Sequence, residues 1–247
     1  MPVQPSCRGD SLSIAETSGG SSSNYQKTMS GYSVDDLLEG LEAIANIPGS
    51  NALIDNQTDI LAILQLLNNS IADIIENNSE LLQDTAATIF QSVLDSKRLF
   101  LGIFAYLMKL CSSNADADRS LYDCINVAIS ILVNITIVEV YAVNIVQYIS
   151  DGAIPLSSFE TVINKYLDYN VQLNESNNIN VYDPFNQIGN LLCNICRIKD
   201  GRKLILLQSK GYVPKLLAQF NSTNSNRQRG SIATVRTCLF DRDIHWY

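Results

Sequence analysis

Two cysteines at a C-x-x-C spacing, Cys193 and Cys196, are the residues of this chain whose types and spacing are best suited to chemistry. This spacing serves zinc sites and thioredoxin-like dithiols. A zinc site needs a second pair of ligands, and the chain holds one histidine, His245. A redox dithiol opens a helix after a strand, whereas these cysteines fall inside a helical pattern. We therefore predict buried, reduced thiols, and we keep a thiol oxidoreductase as the enzyme alternative.

His245 is also the only candidate for the usual general-base chemistry. No Gly-rich phosphate loop, nucleophile elbow or paired-carboxylate motif accompanies it in the sequence. We therefore predict a protein that is not an enzyme, with no catalytic residue, no cofactor and no metal.

Two asparagines stand at matching places of an internal similarity. Residues 131–136, ILVNIT, resemble residues 191–196, LLCNIC, which aligns Asn134 with Asn194. A side-chain amide can pair with both the donor and the acceptor groups of an extended peptide backbone. We predict that both asparagines contact a protein partner along one groove. The alternative is that they only bridge the turns between repeats.

Three arginines near the C-terminal end, Arg227, Arg229 and Arg236, form a second candidate group. Arg229 and Arg236 are seven positions apart, which places them on one face of a helix. They are suited to bind acidic side chains of a partner, and the alternative is a solvated face. The predicted partner-binding set is therefore Asn134, Asn194, Arg229 and Arg236.

Helices must position these residues, because apolar residues recur at every third or fourth position along residues 188–240. Asp183-Pro184 predicts the start of one helix, and Pro214 predicts the start of a later one. Gly211, between them, is suited to end a helix as a left-handed C-cap. The last helix carries an apolar stripe of Ile232, Val235 and Leu239. Further upstream, residues 53–67 and 71–75 read as two helical segments.

No helix in this pattern is long enough to be stable alone, so the helices must stack. Asn194 and Thr237 are 43 residues apart, one helical repeat, whereas Asn134 and Asn194 are 60 apart, one repeat plus an insertion. We predict an all-α fold, a right-handed superhelix (α-solenoid) of armadillo/HEAT-type repeats.

The repeats are predicted to occupy residues 33–247, with an Asn-rich insertion loop at residues 169–182. Residues 1–32 are rich in Ser and Gly and lack periodicity, which predicts a disordered tail. The N-terminal part has no continuous apolar segment of the kind found in secretory signals, so we expect a cytoplasmic protein, with the nucleus as a second location.

Residues 121–149 form a hydrophobic block in which a membrane helix must be considered. Asn126, Asn134 and Glu139 interrupt the block, which argues against a span. Charge is uneven: residues 197–243 hold ten Lys or Arg and three Asp or Glu, a balance of +7 in a chain of net charge −8. A local basic surface is compatible with this pattern, but binding of nucleic acid by the chain as a whole is not expected.

The segment Asn190 to Trp246 resembles the HGH-homolog family of eukaryotic armadillo-type proteins. That family combines an Asn-containing helix, an acidic-Gly-Arg turn, a Leu-rich helix, an Arg-rich helix with Asn-Cys-Cys-Phe, and a following His. The corresponding residues here are Leu192 to Ile195, Asp200 to Arg202, Arg227 to Gly230, Val235 to Phe240, and His245. Thr237 replaces the family's Asn and Leu239 its second Cys. We also expect a chain that stops before the family's C-terminal region.

The resemblance implies a cytosolic chaperone adaptor that binds newly made translation elongation factor 2. It implies cooperation with the chaperonin TRiC and with heat-shock chaperones, and we expect a monomer. Two alternatives stay open. One is an armadillo-type nuclear-import adaptor, although such grooves use a tryptophan ladder and the only tryptophan is Trp246. The other is an RNA-binding ribosome-biogenesis factor that uses the basic segment.

Overall fold

The computed structural model describes residues 39–40, 43, 57–77, 97–112, 119–168 and 183–240. These residues all belong to one compact unit, residues 34–247. The predicted tail at 1–32 and the predicted insertion at 169–182 lie outside the described residues, and the limits of the repeat domain stay a prediction.

Helices are the only regular structure in the described residues, which confirms the all-α class. Nine α-helices follow one another there: α1 (Gln57–Asn77), α2 (Lys97–Ser112), α3 (Arg119–Ile137), α4 (Glu139–Ser150), α5 (Leu156–Asp168), α6 (Ile188–Cys196), α7 (Lys199–Leu206), α8 (Tyr212–Ala218) and α9 (Ser225–Leu239). Short 3-10 turns, Gln208–Lys210 and Gln219–Asn221, flank α8.

The longer helices pack in series. The α1 helix packs on α3, α3 on α6, and α6 on α9, so that these four form one row. A second row places α2 against α5 and α5 against α8. The helices α4–α9 form two successive groups of three, α4–α6 and α7–α9. Each group contributes one helix to the first row and one to the second row. This arrangement is consistent with an α-solenoid.

The core lies between the rows and follows the predicted apolar stripes. On α3 every residue of the predicted stripe is buried: Leu121, Cys124, Ile125, Ala128, Ile131, Leu132 and Ile135. Ile129 and Thr136 are buried as well. Burial of such side chains stabilises a fold by about 1.5–3 kcal/mol each. Among the described residues, no one helix has the length and apolarity to cross a membrane, while Leu121–Ile137 and Glu139–Ser150 qualify only as a pair, bent by 116°.

The start of α6 differs from the prediction. The sequence predicts a helix start at Asp183-Pro184, but α6 begins at Ile188. One carboxylate oxygen of Asp183, Oδ1, accepts the backbone N–H of Phe185 at 3.0 Å, which makes a local turn before the helix. The two segments predicted at 53–67 and 71–75 also differ, because α1 runs without a break from Gln57 to Asn77.

Gly211 adopts the predicted left-handed backbone, with φ of 62°, but it precedes α8 instead of ending the helix before it. The 3-10 turn Gln208–Lys210 separates α7 from this glycine. Pro214 is the third residue of α8, inside the first turn, where a missing N–H costs no helical hydrogen bond.

Candidate partner-binding surface

Asn194 lies on α6 and is almost completely buried against α3. Its side-chain nitrogen, Nδ2, donates to the carbonyl oxygen of Val133 at 3.2 Å and to the hydroxyl of Thr136 at 3.1 Å. The side chain is 6% exposed. Its amide protons therefore hold α6 against α3, as the bridging alternative requires, and a partner contact by this residue stays a prediction.

Asn134 occupies the corresponding place one helix earlier in the row. It is half-buried on α3, and its Nδ2 donates to Oδ1 of Asn68 on α1 at 3.0 Å. One helix later, the thiol of Cys193 lies 3.7 Å from the hydroxyl of Thr237 on α9. Polar contacts thus join each helix of the row to the next at the register that the internal similarity predicts.

Arg229 and Arg236 are both exposed on α9. The guanidinium carbon of Arg236 lies 5.5 Å from the ring centroid of Phe240, a distance at which a cation is attracted by the aromatic face. This contact holds Arg236 near the end of α9 while its charge stays accessible to solvent.

An apolar groove of ≈ 290 Å³ runs along α9 beside Arg236. It is lined by Phe220, Ile232, Val235, Arg236, Leu239 and Phe240. Of the apolar stripe predicted for this helix, only Val235 is buried, whereas Ile232 is 42% and Leu239 is 62% exposed. The other face of α9 packs on α6. The face with this stripe therefore lies at the end of the row of described helices.

Arg227 is not part of a solvated face, because it is 1% exposed. Its guanidinium binds the carboxylate of Asp183 at two points and also donates to the backbone carbonyl of Tyr166. Small residues at i+3 and i+4 from Arg227, Gly230 and Ser231, share its buried face. That run of small residues is the signal in the sequence that this face of α9 packs closely.

Tyr166 on α5 completes this buried cluster. Its ring centroid lies 4.4 Å from the guanidinium carbon of Arg227, and its hydroxyl donates to the carbonyl oxygen of Arg227 at 3.0 Å. The same hydroxyl is 2.5 Å from that of Ser231. Burial raises the pKa of Tyr166, and the hydrogen bond to Ser231 and the charge of Arg227 oppose that rise. The cluster therefore joins α5, the turn before α6, and α9.

Gly189 on α6 and Gly230 on α9 set the distance between their two helices. A Cβ built on Gly230 would lie 2.7 Å from the Cα of Gly189, and one built on Gly189 would lie 2.8 Å from the Cα of Gly230. The atoms that each added Cβ would meet include backbone atoms of the facing helix, which cannot move aside as the end of a flexible side chain can. The close crossing of α6 and α9 thus requires glycine at both positions.

The described cysteines are buried thiols outside any disulfide, as predicted: Cys111, Cys124, Cys193, Cys196 and Cys238. Burial raises the pKa of Cys111 to about 11, which keeps this thiol protonated at neutral pH. Among the described residues, no group of three or more His, Cys, Asp or Glu side chains is placed to hold a metal ion. His245 lies outside the described residues.

Part of the basic C-terminal segment is neutralised by contacts within the chain. Lys210 pairs with Glu160 at 2.5 Å, and Lys215 pairs with Asp168 at 2.9 Å, which ties the basic segment to α5. The pair of Arg227 with Asp183 is completely buried. The balance of +7 therefore overstates the positive surface, and Arg229 and Arg236 stand out as exposed cations on α9.

One curated protein is similar to part of the chain: Protein HGH1 homolog from Xenopus tropicalis, 35% identical over 69 residues. The aligned region covers 26% of this chain and 19% of that relative, so the chain spans about a fifth of the relative's length. This partial likeness agrees with the resemblance to the HGH-homolog family. No solved structure matches the chain.

A protein-family model also matches residues 119–247, from the beginning of α3 through α9 to the end of the sequence. The match thus includes Asn134, Asn194, the buried arginine cluster and the groove. Because it covers more than half of the sequence, this chain belongs to the family described as domain of unknown function DUF383.

Proposed function

We propose that this protein is a non-enzymatic scaffold of armadillo type that binds a protein partner on α9. The observation that carries the proposal is the exposed apolar groove of α9 beside Arg236. Along the row, α1 packs on α3, α3 on α6, and α6 on α9. The exposed face of α9 continues this row and is therefore suited to receive one more helix.

The occupant that we propose is an amphipathic helix of the partner that carries a carboxylate. Its apolar side chains would cover Ile232 and Leu239, and its carboxylate would meet Arg236. A hydrogen bond to a charged group contributes about 1.5–3 kcal/mol. A second copy of this chain fits less well, because two α9 helices facing each other would bring the charges of Arg229 and Arg236 together.

Asn134 and Asn194 belong to the same row of helices and remain in the proposed partner-binding set. Asn194 would have to exchange a hydrogen bond with α3 to reach a partner, because its Nδ2 already donates to Val133 and Thr136. Arg229 and Arg236 need no such exchange, since both are exposed. We therefore expect the arginines to dominate the contact.

Elongation factor 2 is the partner that we propose, bound while it folds with TRiC and heat-shock chaperones in the cytoplasm. The support is the resemblance of residues 190–246 to the HGH-homolog family and the likeness to Protein HGH1 homolog. The grouping of helices as α4–α6 and α7–α9 supports the armadillo-type assignment, since armadillo repeats contain three helices.

The test is the binding of the purified full chain to elongation factor 2 diluted from denaturant, measured by biolayer interferometry. Arg236→Glu should weaken binding by about tenfold or more, equivalent to about 1.4 kcal/mol. Leu239→Ser should also weaken it, because it removes apolar groove surface. Neither change should move the thermal midpoint, since both side chains are exposed.

Lys203→Glu on α7 is the matched control, because it reverses an exposed charge outside the groove. It should leave the affinity within about twofold of the parent, as expected for a peripheral charge. Normal binding by both groove variants would refute the groove as the site. Binding of ribosomal RNA with a steep salt dependence, and none of elongation factor 2, would favour the RNA-binding alternative.

A further inference from the structure

Cys196 on α6 and Cys238 on α9 face each other across the packed helices. The thiol of Cys238 donates to the sulfur of Cys196 over a distance of 3.5 Å, although 42 residues separate them in sequence. The two side chains are 0% and 4% exposed. This hydrogen bond joins Cys196 to a cysteine on the neighbouring helix.

Cys193, the other member of that motif, has a different environment. Its sulfur lies 3.7 Å from the hydroxyl of Thr237, one position before Cys238. A dithiol made of Cys193 and Cys196 is what the spacing alone predicts. The contact of Cys196 with Cys238 and that of Cys193 with Thr237 both run from α6 to α9, which favours a link between helices over one within a helix.

A cationic side chain lies near this pair. The Nη1 atom of Arg202 donates to the backbone carbonyl oxygens of Cys196 and Arg197, each at 2.9 Å, and so holds the guanidinium at the end of α6. A nearby positive charge favours the thiolate over the thiol. The hydrogen bond with Cys196 and the charge of Arg202 lower the pKa of Cys238. The hydrogen bond with Cys238 and burial raise the pKa of Cys196.

Cys238 lies in the last turn of α9. Leu239, the residue after Cys238, is 62% exposed, so this turn lies at the surface beside the groove. A small oxidant can therefore reach Cys238 with a local opening of that turn, whereas Cys196 stays behind it.

We propose that Cys196 and Cys238 are a modification site, at which hydrogen peroxide forms a reversible disulfide that links α6 to α9. The sulfurs must approach from 3.5 Å to about 2.05 Å, the length of a disulfide. The bond would tie together the same two helices that cross at Gly189 and Gly230. It would fix the position of α9, which carries the groove, without a change of fold.

The reaction balances with peroxide as the oxidant. The Cys238 thiol first gives up its proton, and its thiolate attacks one peroxide oxygen. The O–O bond breaks, which gives a sulfenic acid on Cys238, and the departing hydroxide takes up the released proton as water. The sulfur of Cys196 then loses its proton and attacks the sulfenic sulfur. The S–O bond breaks, and the departing hydroxide takes up that proton as a second water. Two thiols are thereby oxidised to one disulfide while one peroxide is reduced.

The experiment treats the purified full chain with hydrogen peroxide, blocks the remaining thiols with N-ethylmaleimide, and analyses it by intact mass and peptide mapping. The proposal expects the loss of two hydrogens, a cross-linked peptide pair containing Cys196 and Cys238, recovery of both thiols with dithiothreitol, and a higher thermal midpoint in the oxidised form.

Cys196→Ser and Cys238→Ser should abolish the cross-link, and Cys193→Ser should retain it as the matched control. If a serine variant fails to fold, the corresponding alanine variant takes its place, and the peptide map of the unsubstituted chain decides the outcome by itself. A link between Cys193 and Cys196, a link to another cysteine, or oxidation of Cys238 to sulfinic acid with no link would each overturn the proposal.

Discussion

The guanidinium of Arg227 on α9 and the carboxylate of Asp183, just before α6, form a two-point ion pair that is shielded from water. The Nε atom of Arg227 lies 2.7 Å from Oδ2 of Asp183, and Nη2 lies 3.0 Å from Oδ1. Their side chains are 1% and 0% exposed. Each charge is tolerated there because the other neutralises it, so the pair couples α9 to the turn that precedes α6.

Removing one partner of this pair should destabilise the protein strongly. Arg227→Ala leaves the carboxylate of Asp183 buried without its counter-charge, which should lower the free energy of unfolding by about 3–5 kcal/mol. Urea denaturation followed by circular dichroism measures this change. Arg229→Ala, two positions along the same helix and exposed, is the control, with an expected change within about 0.5 kcal/mol. Equal effects of the two substitutions would contradict the structural role of Arg227.

Asn194→Ala should also lower stability, because the buried hydroxyl of Thr136 and the partly buried carbonyl of Val133 lose a donor on α6. The expected cost is about 1–3 kcal/mol in urea denaturation. Asn134→Ala should cost less, since its side chain is half-buried and water can replace the contact with Asn68. A thermal midpoint unchanged by Asn194→Ala, together with weaker partner binding, would instead support Asn194 as a direct contact.

Gly230→Ala should disturb the crossing of α6 and α9. The added methyl group would lie 2.7 Å from the Cα of Gly189, so the backbones would have to separate. Overpacking of this kind costs about 1–3 kcal/mol, measured as a lower free energy of unfolding. Gly40→Ala is the matched control, because among the described residues its methyl group would meet only the side chain of Ile63, at 3.5 Å or more. A loss as large in the control would show that the effect is not specific to the crossing.

The apolar periodicity of the sequence was sufficient to predict the all-α fold and the buried face of α3. It works there because α3 packs against both α1 and α6, and neighbouring helices cover the stripe. The alignment of Asn134 with Asn194 also predicted the register between helices of one row, because equivalent positions of stacked repeats meet equivalent neighbours.

Apolar periodicity did not predict the buried face of α9, because on this helix the apolar residues are not all buried and a charged residue is. Ile232 and Leu239 are apolar and exposed, whereas Arg227 is charged and buried. Which face of α9 is covered depends on helices distant in sequence, which a local pattern does not identify. The partner of Arg227, Asp183, is 44 residues away, and its side chain reads locally as a helix cap. Only the packing of α9 on α6 brings the two charges together.

Alkaline pH should destabilise the protein in part through Tyr212, at the start of α8. Burial raises the pKa of its phenol from 10.0 to about 12. The unfolded chain therefore loses this proton at a lower pH than the folded chain does. The stability associated with the neutral phenol is present below the unfolded pKa of about 10 and is lost as pH rises through about 12.

Tyr212→Phe isolates this contribution, because phenylalanine keeps the buried ring and removes the titrating hydroxyl. That hydroxyl has no hydrogen-bond partner among the described residues, so its removal should leave the free energy of unfolding at pH 7 unchanged or higher. Between pH 10 and 12 the variant should lose stability less steeply than the parent protein, in urea denaturation at fixed ionic strength. Parallel pH profiles would show that Tyr212 ionises in the folded chain as readily as in the unfolded chain, contrary to its burial.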